Sequence, residues 1–480
     1  MHICSTDQPG VLVPEPSVLQ LGYSGRVTTG KELAVAKMRA AGVNQTAVSI
    51  FEHYWDQLAA GATGLIPEAT ISPLTSPDAL PDTPETEADR AALAATVVIR
   101  LNGGLGTSMG LSRAKSLLEV RDGLTFVDII VRQVEWARAH YGVRLPLVFL
   151  HSFSTQADVL AALAAYPELA CPPLPLDMMQ SEEPKLNQAD LTPVEWPANP
   201  KLEWCPPGHG DLYPTLLDSG LLDALIEAGF RYASVSNSDN LGAAPSARLA
   251  GWFAGTGAPF ATEVTRRTPM DLKGGHIARR KSDGRLILRE SAQTPKDELR
   301  YFTDAAVHPY AHCNNLWFDL VALRAKLVAT GGVLGLPLIR NAKPVDPTDP
   351  ASPAVYQIES AMGAAIEAFE GARAVAVPRS RFLPVKTTND LALLRSDVFQ
   401  MGEDYIPYAV VSPLPVVTLA KLYAGITAFD ERLPSALSLR HARTLTVTGD
   451  WHFGTNVAVV GDVTLGEAGG TVPAGTVLAG

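Results

Sequence analysis

At 480 residues the chain is too long for one simple core and has room for two or three domains, one of them large enough to enclose a small-molecule site. Apolar residues make up 46% and charged residues 19%, which excludes a mostly disordered or fibrous chain. The formal charge is −11, from 39 basic and 50 acidic residues; no overall field draws the chain to nucleic acid or to anionic lipid, and a polyphosphate ligand needs local cations.

In chain order, the opening Met1-His2-Ile3-Cys4, with Asp7 and Pro9 close behind, lacks the basic-then-apolar layout of a secretory signal. Between Gly30 and Ala60 the apolar positions Leu33, Val35, Met38, Val43, Val48, Phe51, Trp55 and Leu58 recur at helical spacing and predict two short packing helices on either side of Gly42. Pro67 to Glu87 is rich in Pro, Thr, Asp and Glu without periodicity and reads as an extended connection. Residues 1–92 therefore form an N-terminal helical segment and linker.

From Leu93 short β-branched runs alternate with longer amphipathic stretches. Thr96 to Ile99 predicts a buried strand, Phe126 to His140 a helix, Leu145 to Leu150 a strand, Thr155 to Ala165 a helix and Tyr232 to Ser236 a further strand. Such alternation predicts an α/β domain over 93–395, with a mainly parallel sheet covered by helices on both faces and ligands bound at the carboxyl ends of strands. The texture changes again over 396–480. Ile406 to Ala428 is the most apolar late stretch, but three prolines and Lys421 keep it from reading as a membrane span. From Leu445 glycines punctuate short Val/Leu strands, the pattern of a small left- or right-handed β-helix whose coils bury their apolar faces by stacking. Cys4, Cys171, Cys205 and Cys313 lie far apart without metal-ligand spacing, which argues against a zinc site or a disulfide framework and fits a cytoplasmic protein.

The run Leu101-Asn102-Gly103-Gly104-Leu105-Gly106-Thr107-Ser108-Met109-Gly110 continues directly from the first strand. Its four glycines let backbone N–H groups approach a polyphosphate closely. Lys115, five residues beyond, can set an ammonium group beside the phosphates. The pattern is neither a Walker A sequence nor a GxGxxG fingerprint. In Trp204-Cys205-Pro206-Pro207-Gly208-His209-Gly210-Asp211, prolines and glycines fix a tight turn in which Gly208 lets a base lie against backbone and His209 donates to a phosphate or sugar. Asp239, just past the Tyr232 strand, stands where a hard oxygen ligand for Mg²⁺ or the N-cap of a helix would sit. Between Val377 and Thr388 two prolines stiffen a segment holding Arg379, Arg381 and Lys386, a basic loop in an acidic protein, which calls for an anionic partner.

Together these runs resemble the eukaryotic-type UTP-glucose-1-phosphate uridylyltransferase family, also called UDP-glucose pyrophosphorylases, from about Leu65 to Ala479. LNGGLGTSMG with AKSLLEV is similar to the family loop, although Ala114 replaces the usual proline and Arg113 the usual glycine. WCPPGHGD resembles WYPPGHGD, Asn237 to Gly242 resembles SNxDNLGA, and PRSRFLPVKTT matches throughout. Glu263 to Gly275 is similar to EVxxKTxxDxKGG with Arg267 in place of lysine, and His312 to Trp317 to FNTNNLW with His312 and Cys313 in place of Asn and Thr. The resemblance implies a Rossmann-like nucleotidyltransferase domain with a mixed, mainly parallel sheet and a C-terminal β-helix domain. It implies UTP and glucose 1-phosphate as substrates, UDP-glucose and pyrophosphate as products, and Mg²⁺ as cofactor on Asp239. Lys115, Lys386 and Asp239 are the implied catalytic residues. Leu101, Asn102, Gly103, Gly104, Gly106, Thr107, Gln180 and Gly208 are the implied nucleotide contacts, with the Gln180 amide reading the uracil edge. His209, Asn237, Gly275, Glu290, Asn314 and Asn315 are the implied sugar-phosphate contacts. Two competing readings are a uridylyltransferase for another sugar 1-phosphate and a non-catalytic nucleotide-sugar binding protein. A glycosyltransferase would be expected to carry a DxD pair where Asn237-Ser238-Asp239 stands. No nucleic-acid or membrane partner is expected, and a homo-oligomer remains open.

Overall fold

A computed structural model describes residues 29–268, 271 and 274–480; the opening stretch with Cys4, Asp7 and Pro9, and Leu272 and Lys273 of the later glycine-containing segment, lie outside the described residues. The described residues divide into two compact units, one made of 29–62, 182–205 and 340–358, the other of the described residues of 63–181, 206–339 and 359–480. This division cuts across chain order, whereas boundaries at 92 and 395 follow changes in sequence texture.

In the smaller unit two helices form on either side of Gly42, Gly30–Ala40 and Gln45–Ala59. Thr29 and Glu32 start the first with a reciprocal capping box, and the Asn44 side chain accepts the Ala47 N–H to start the second. Val35, Met38, Val48, Phe51 and Leu58 are buried, as their helical spacing requires. Short strands from the other two segments pair beside a small core of Val194, Val345 and Val355.

The larger unit is built on an eight-stranded sheet. Its strands in chain order are β1 (Asp78–Ala79), β2 (Thr96–Asn102), β3 (Leu147–His151), β4 (Asp177–Met179), β5 (Tyr232–Asn237), β6 (Phe260–Arg266), β7 (Tyr310–Asp319) and β8 (Arg373–Ala376). Their spatial order is β1-β8-β6-β7-β5-β2-β3-β4, and every pairing is parallel except the two made by β7. The sheet is thus mixed and mainly parallel.

Burial on both faces explains the unbroken apolar runs. Val98, Phe149 and Trp317 face one core with the helix Phe126–Tyr141, whereas Val97, Ile99, Val148 and Phe318 face the other with the helices Leu212–Asp218, Leu221–Glu227 and Leu320–Ala329. The predicted connection from Pro67 to Glu87 is extended but not idle: Ile71–Pro73 pairs with His276–Arg280, and β1 adds an edge strand beside β8.

Beyond Ser396 the chain adds β9 (Val416–Leu419), β10 (Ser438–Val447), β11 (Trp451–Phe453), β12 (Ala458–Leu465), β13 (Gly470–Val472) and β14 (Val477–Ala479). β9, β10, β12 and β14 pair side by side in chain order, all parallel, and β11 pairs parallel with β13. Leu445, Val447, Val459, Val463 and Val472 point into the same core as the Phe126–Tyr141 helix. Among the described residues no helix is long and apolar enough to cross a membrane, and Cys171, Cys205 and Cys313 form no disulfide.

Candidate active site

Because β2, β3, β4, β5, β6 and β8 all run the same way, their carboxyl ends lie along one edge, and the loops that leave them carry the residues singled out from sequence. β7 runs the other way and brings its first half to that edge, with Leu316 opposite Val235 and Tyr310 opposite Arg266. A cavity of about 320 Å³ opens there, lined by Leu101 to Gly104, Lys115, Gln180, Gly208, His209 and Asn237 to Asp239. A larger cavity of about 860 Å³, lined by Arg121, Arg395 and Leu437 among others, holds none of the residues singled out. The smaller cavity is the candidate because the chemistry is there; size alone does not locate a site.

The glycine loop is wired mainly through its backbone. Thr155 Oγ1 donates to the Asn102 carbonyl at 2.7 Å and Ser152 Oγ to the Gly103 carbonyl at 2.9 Å, both from the start of the neighbouring helix segment. Gly106 has φ of +63°, and a Cβ there would lie 2.8 Å from Leu111 and 3.2 Å from the Lys115 Cβ, so glycine lets the chain turn back tightly enough to bring Lys115 under the loop. The Lys115 N–H donates to the Gly104 carbonyl at 3.1 Å. Thr107 is exposed at the start of a one-turn helix, Thr107–Met109. Gln180 follows β4, and its Oε1 lies where a Gly103 Cβ would approach to 2.9 Å, so the amide covers the loop.

The two lysines meet on one carboxylate. Lys115 Nζ is 2.6 Å and Lys386 Nζ 3.4 Å from Asp239 Oδ2, and Lys115 also donates to the Val385 carbonyl. Burial pushes the Asp239 carboxyl up, but the charges of Lys386 and Lys115 outweigh it and hold the group below the usual carboxylate range. No helix starts at Asp239, the next one beginning at Ala247 with Ser246 as its cap, which removes the N-cap reading. The other cations of the basic segment turn inward. Arg379 pairs with Asp271 at 2.6 Å and Arg381 with the fully buried Glu263 at 2.8 Å, so the partners that this segment called for are partly the chain's own acids, and of its three cations Lys386 is the one that reaches Asp239 at the cavity wall.

Gly208 has φ of +81° and a Cβ there would lie 2.5 Å from the Ser360 carbonyl oxygen, which fixes the turn that presents His209. The Met362 N–H donates to His209 Nδ1 at 2.9 Å, leaving Nε2 as the proton-bearing nitrogen. Burial and the nearby Lys386 lower its pKa to about 4, so it is a neutral donor. Glu290 sits against Gly275, where a Cβ would come within 2.7 Å of Oε2. Burial raises the Glu290 carboxyl to about 7, opposed by Lys386, which places it near that ammonium. Asn314 donates to Asn237 Oδ1 at 3.1 Å, while its own Oδ1 is buried without a partner. Asn315 is engaged within the protein, by Asn240 and Glu263. His312, the replacement beside this pair, bonds Thr262 Oγ1 at 2.8 Å.

Three polar atoms at the cavity are buried without a hydrogen-bond partner, which the sequence does not show. The Ser116 and Ser238 hydroxyls line the cavity, buried and unpartnered, and Asp239 Oδ1 is likewise buried without a hydrogen-bond partner. An orphaned carboxylate oxygen among phosphate-directed groups fits a hard dication that takes its other oxygens from substrate and water. Among the described residues no cluster of three His, Cys, Asp or Glu side chains could hold a metal by protein ligands alone.

Known proteins similar to this chain share one family name. A family model described as UTP–glucose-1-phosphate uridylyltransferase matches residues 49–460. The Solanum tuberosum protein of that name is 37% identical over 396 residues, covering 80% of this chain and 80% of its own. The Saccharomyces cerevisiae one is 36% identical over 392 residues, covering 80% and 77%. Among solved structures, a Leishmania major UDP-glucose pyrophosphorylase variant in complex with UDP-glucose is similar with a TM-score of 0.89 and 40% identity, covering 95% of this chain and 99% of that one. A UDP-glucose phosphorylase from Trypanosoma brucei gives 0.86 and 39%, covering 94% and 99%.

Proposed function

The chain belongs to the UTP–glucose-1-phosphate uridylyltransferase family, and from that premise we propose that it joins UTP to glucose 1-phosphate, giving UDP-glucose and pyrophosphate. The observation that carries the reading is that Lys115 and Asp239 line one cavity with the glycine loop and that Lys386 meets them on the Asp239 carboxylate. A phosphate oxygen of glucose 1-phosphate bonds to the α-phosphorus of UTP while the bond from that phosphorus to the pyrophosphate oxygen breaks. No general base is required, since a phosphate monoester with a second pKa of about 6 is already largely dianionic at neutral pH. The obstacle is repulsion between anions, and the chain answers it by positioning and charge.

In this reading Leu101, Asn102, Gly103, Gly104, Gly106 and Thr107 cradle the nucleotide phosphates, Gln180 reads uracil and Gly208 supports the base. Lys115 and Lys386 exchange Asp239 for phosphate oxygens. His209 donates Nε2–H to the sugar phosphate, Asn237 and Asn314 present amides, and Glu290 beside Gly275 accepts a sugar hydroxyl. Asn315 holds this corner from behind through Glu263. We assign Asp239 Oδ1 to Mg²⁺, which would supply charge neutralisation on the triphosphate. Parallel pairing of β9, β10, β12 and β14 in chain order supports a short β-helix closing a C-terminal domain over 396–480, after a catalytic domain over 93–395.

The test is pyrophosphate release from UTP by purified protein with Mg²⁺, across a panel of sugar 1-phosphates. Glucose 1-phosphate is expected to be used best, with loss of turnover on chelation and recovery on Mg²⁺ addition. Equal rates with N-acetylhexosamine 1-phosphates would replace glucose by a broader substrate class, and no release with any sugar would sink the enzyme reading.

A further inference from the structure

The segment that delivers Lys386 is fastened to the Asp239 loop by a buried side chain outside the roles assigned above, Asn240, which is 2% exposed. Its Oδ1 accepts the Leu383 N–H at 2.8 Å, and its Nδ2 donates to the Arg381 carbonyl at 3.1 Å and to Asn315 Oδ1 at 3.1 Å. Both amide hydrogens and the carbonyl oxygen are engaged, so neighbours on several sides set the orientation of the group. The seam continues as a β-bridge between Asn240 and Pro384 and as the Val385 N–H donating to the Asp239 carbonyl at 3.3 Å. Gly242 closes the other end, since a Cβ there would lie 2.2 Å from the Ser380 carbonyl oxygen.

The Lys386 N–H donates to Asp390 Oδ2 at 2.8 Å, but its side chain gains little from its surroundings. Its side chain is 61% exposed on a flexible stem, and its contact to Asp239 is 3.4 Å long. What limits the reach of Nζ is therefore where the backbone of 383–386 sits: Asp390 holds its far end at the Lys386 N–H, and the Asn240 side chain holds its near end at Leu383 and, just upstream, at Arg381. A misplacement of about 1 Å at a charge-stabilising group costs on the order of 10²-fold in rate. We propose that Asn240 is the positioning residue for Lys386, setting its ammonium over the reacting phosphate without touching substrate. This rests on the reading of Lys386 as a catalytic residue.

A double-mutant cycle in turnover decides it. The four proteins are wild type, Asn240→Ala, Lys386→Ala and the double variant, each assayed at saturating glucose 1-phosphate with UTP affinity measured separately by calorimetry. Asn240→Ala is expected to lower kcat by roughly 10- to 100-fold with UTP affinity unchanged, and the double variant to turn over no more slowly than Lys386→Ala alone. If Asn240→Ala costs the same factor whether or not Lys386 is present, the side chain acts independently of that lysine and the proposal is overturned while the role of Lys386 stands. A near-normal Lys386→Ala overturns the underlying reading instead. Should Asn240→Ala not fold, Asn240→Ser, which keeps a donor, replaces it in the same cycle and is judged by the same outcomes.

Discussion

The two loops whose lysines meet on Asp239 are held in opposite ways. The glycine loop from Gly103 to Gly110 offers its own backbone, and few side chains hold it: the hydroxyls of Ser152 and Thr155 on its leading carbonyls, and the turn that Gly106 permits. The segment from Val377 to Thr388 is held largely by side chains, with Arg381 on buried Glu263, Arg379 on Asp271 and Asn240 on Arg381 and Leu383. In the proposed function, a loop that presents many N–H groups to one polyanion has to leave them uncommitted. A loop that must place one flexible ammonium group can commit nearly everything else.

This contrast predicts where damage falls. Arg381→Leu leaves Glu263 buried and unpaired and is expected to lower stability by about 3–5 kcal/mol, read as a shift in the denaturation midpoint. Equal midpoints would mean that the pair is not what holds the segment. Lys386→Ala should leave stability near wild type and reduce kcat by roughly 10²- to 10³-fold, the size of one lost charge-stabilising donor; a change confined to the KM for UTP would put the residue in binding rather than chemistry.

On the other side of the cavity, Gly103→Ala places a Cβ against the movable end of Gln180. It is expected to raise the KM for UTP by about tenfold and to blur discrimination between UTP and CTP, with kcat little altered. Ser152→Ala, which removes one of the two hydroxyls on the loop's leading carbonyls, should cost only about 0.5–1.5 kcal/mol of stability. A loss as large as that of Arg381→Leu would erase the distinction between the two loops.

The smallest expected effect is a pH dependence. Glu290 titrates near 7 in the folded chain, chiefly through burial, against an ordinary value of 4.5. Between these values the folded state holds the extra proton, so the contribution of this group is fully present below about 4.5 and is lost as pH rises through about 7. Glu290→Gln should therefore gain melting temperature relative to wild type on going from pH 5 to pH 8. A constant difference across that range would mean that the carboxyl is not raised.

Much of this was legible before any coordinates. The β-branched run at Thr96 predicted β2, and the glycines and Lys115 behind it marked a segment that lines the cavity, because strand, turn and cation lie close together in sequence. Spacing of Leu33, Val35, Met38, Val48 and Phe51 likewise gave the first two helices. The reversal of β7 was not legible, since a buried strand reads the same in either direction. Nor was the inward turn of Arg379 and Arg381: composition marks a run of cations as basic, and only folding brings Asp271 and Glu263 beneath it. The engagement of Asn315 within the protein belongs to the same class, set by an amide 75 residues away.

Because two ammonium groups share one oxygen of Asp239, the cluster carries a net charge of about +1, two lysines less one carboxylate. A small anion can engage that surplus but has too little charge to compete with the carboxylate for both lysines. A triphosphate can, and in doing so it gains the full pull of each. The arrangement thus ranks visitors by valence, and inorganic phosphate should compete poorly with UTP even at concentrations far above it.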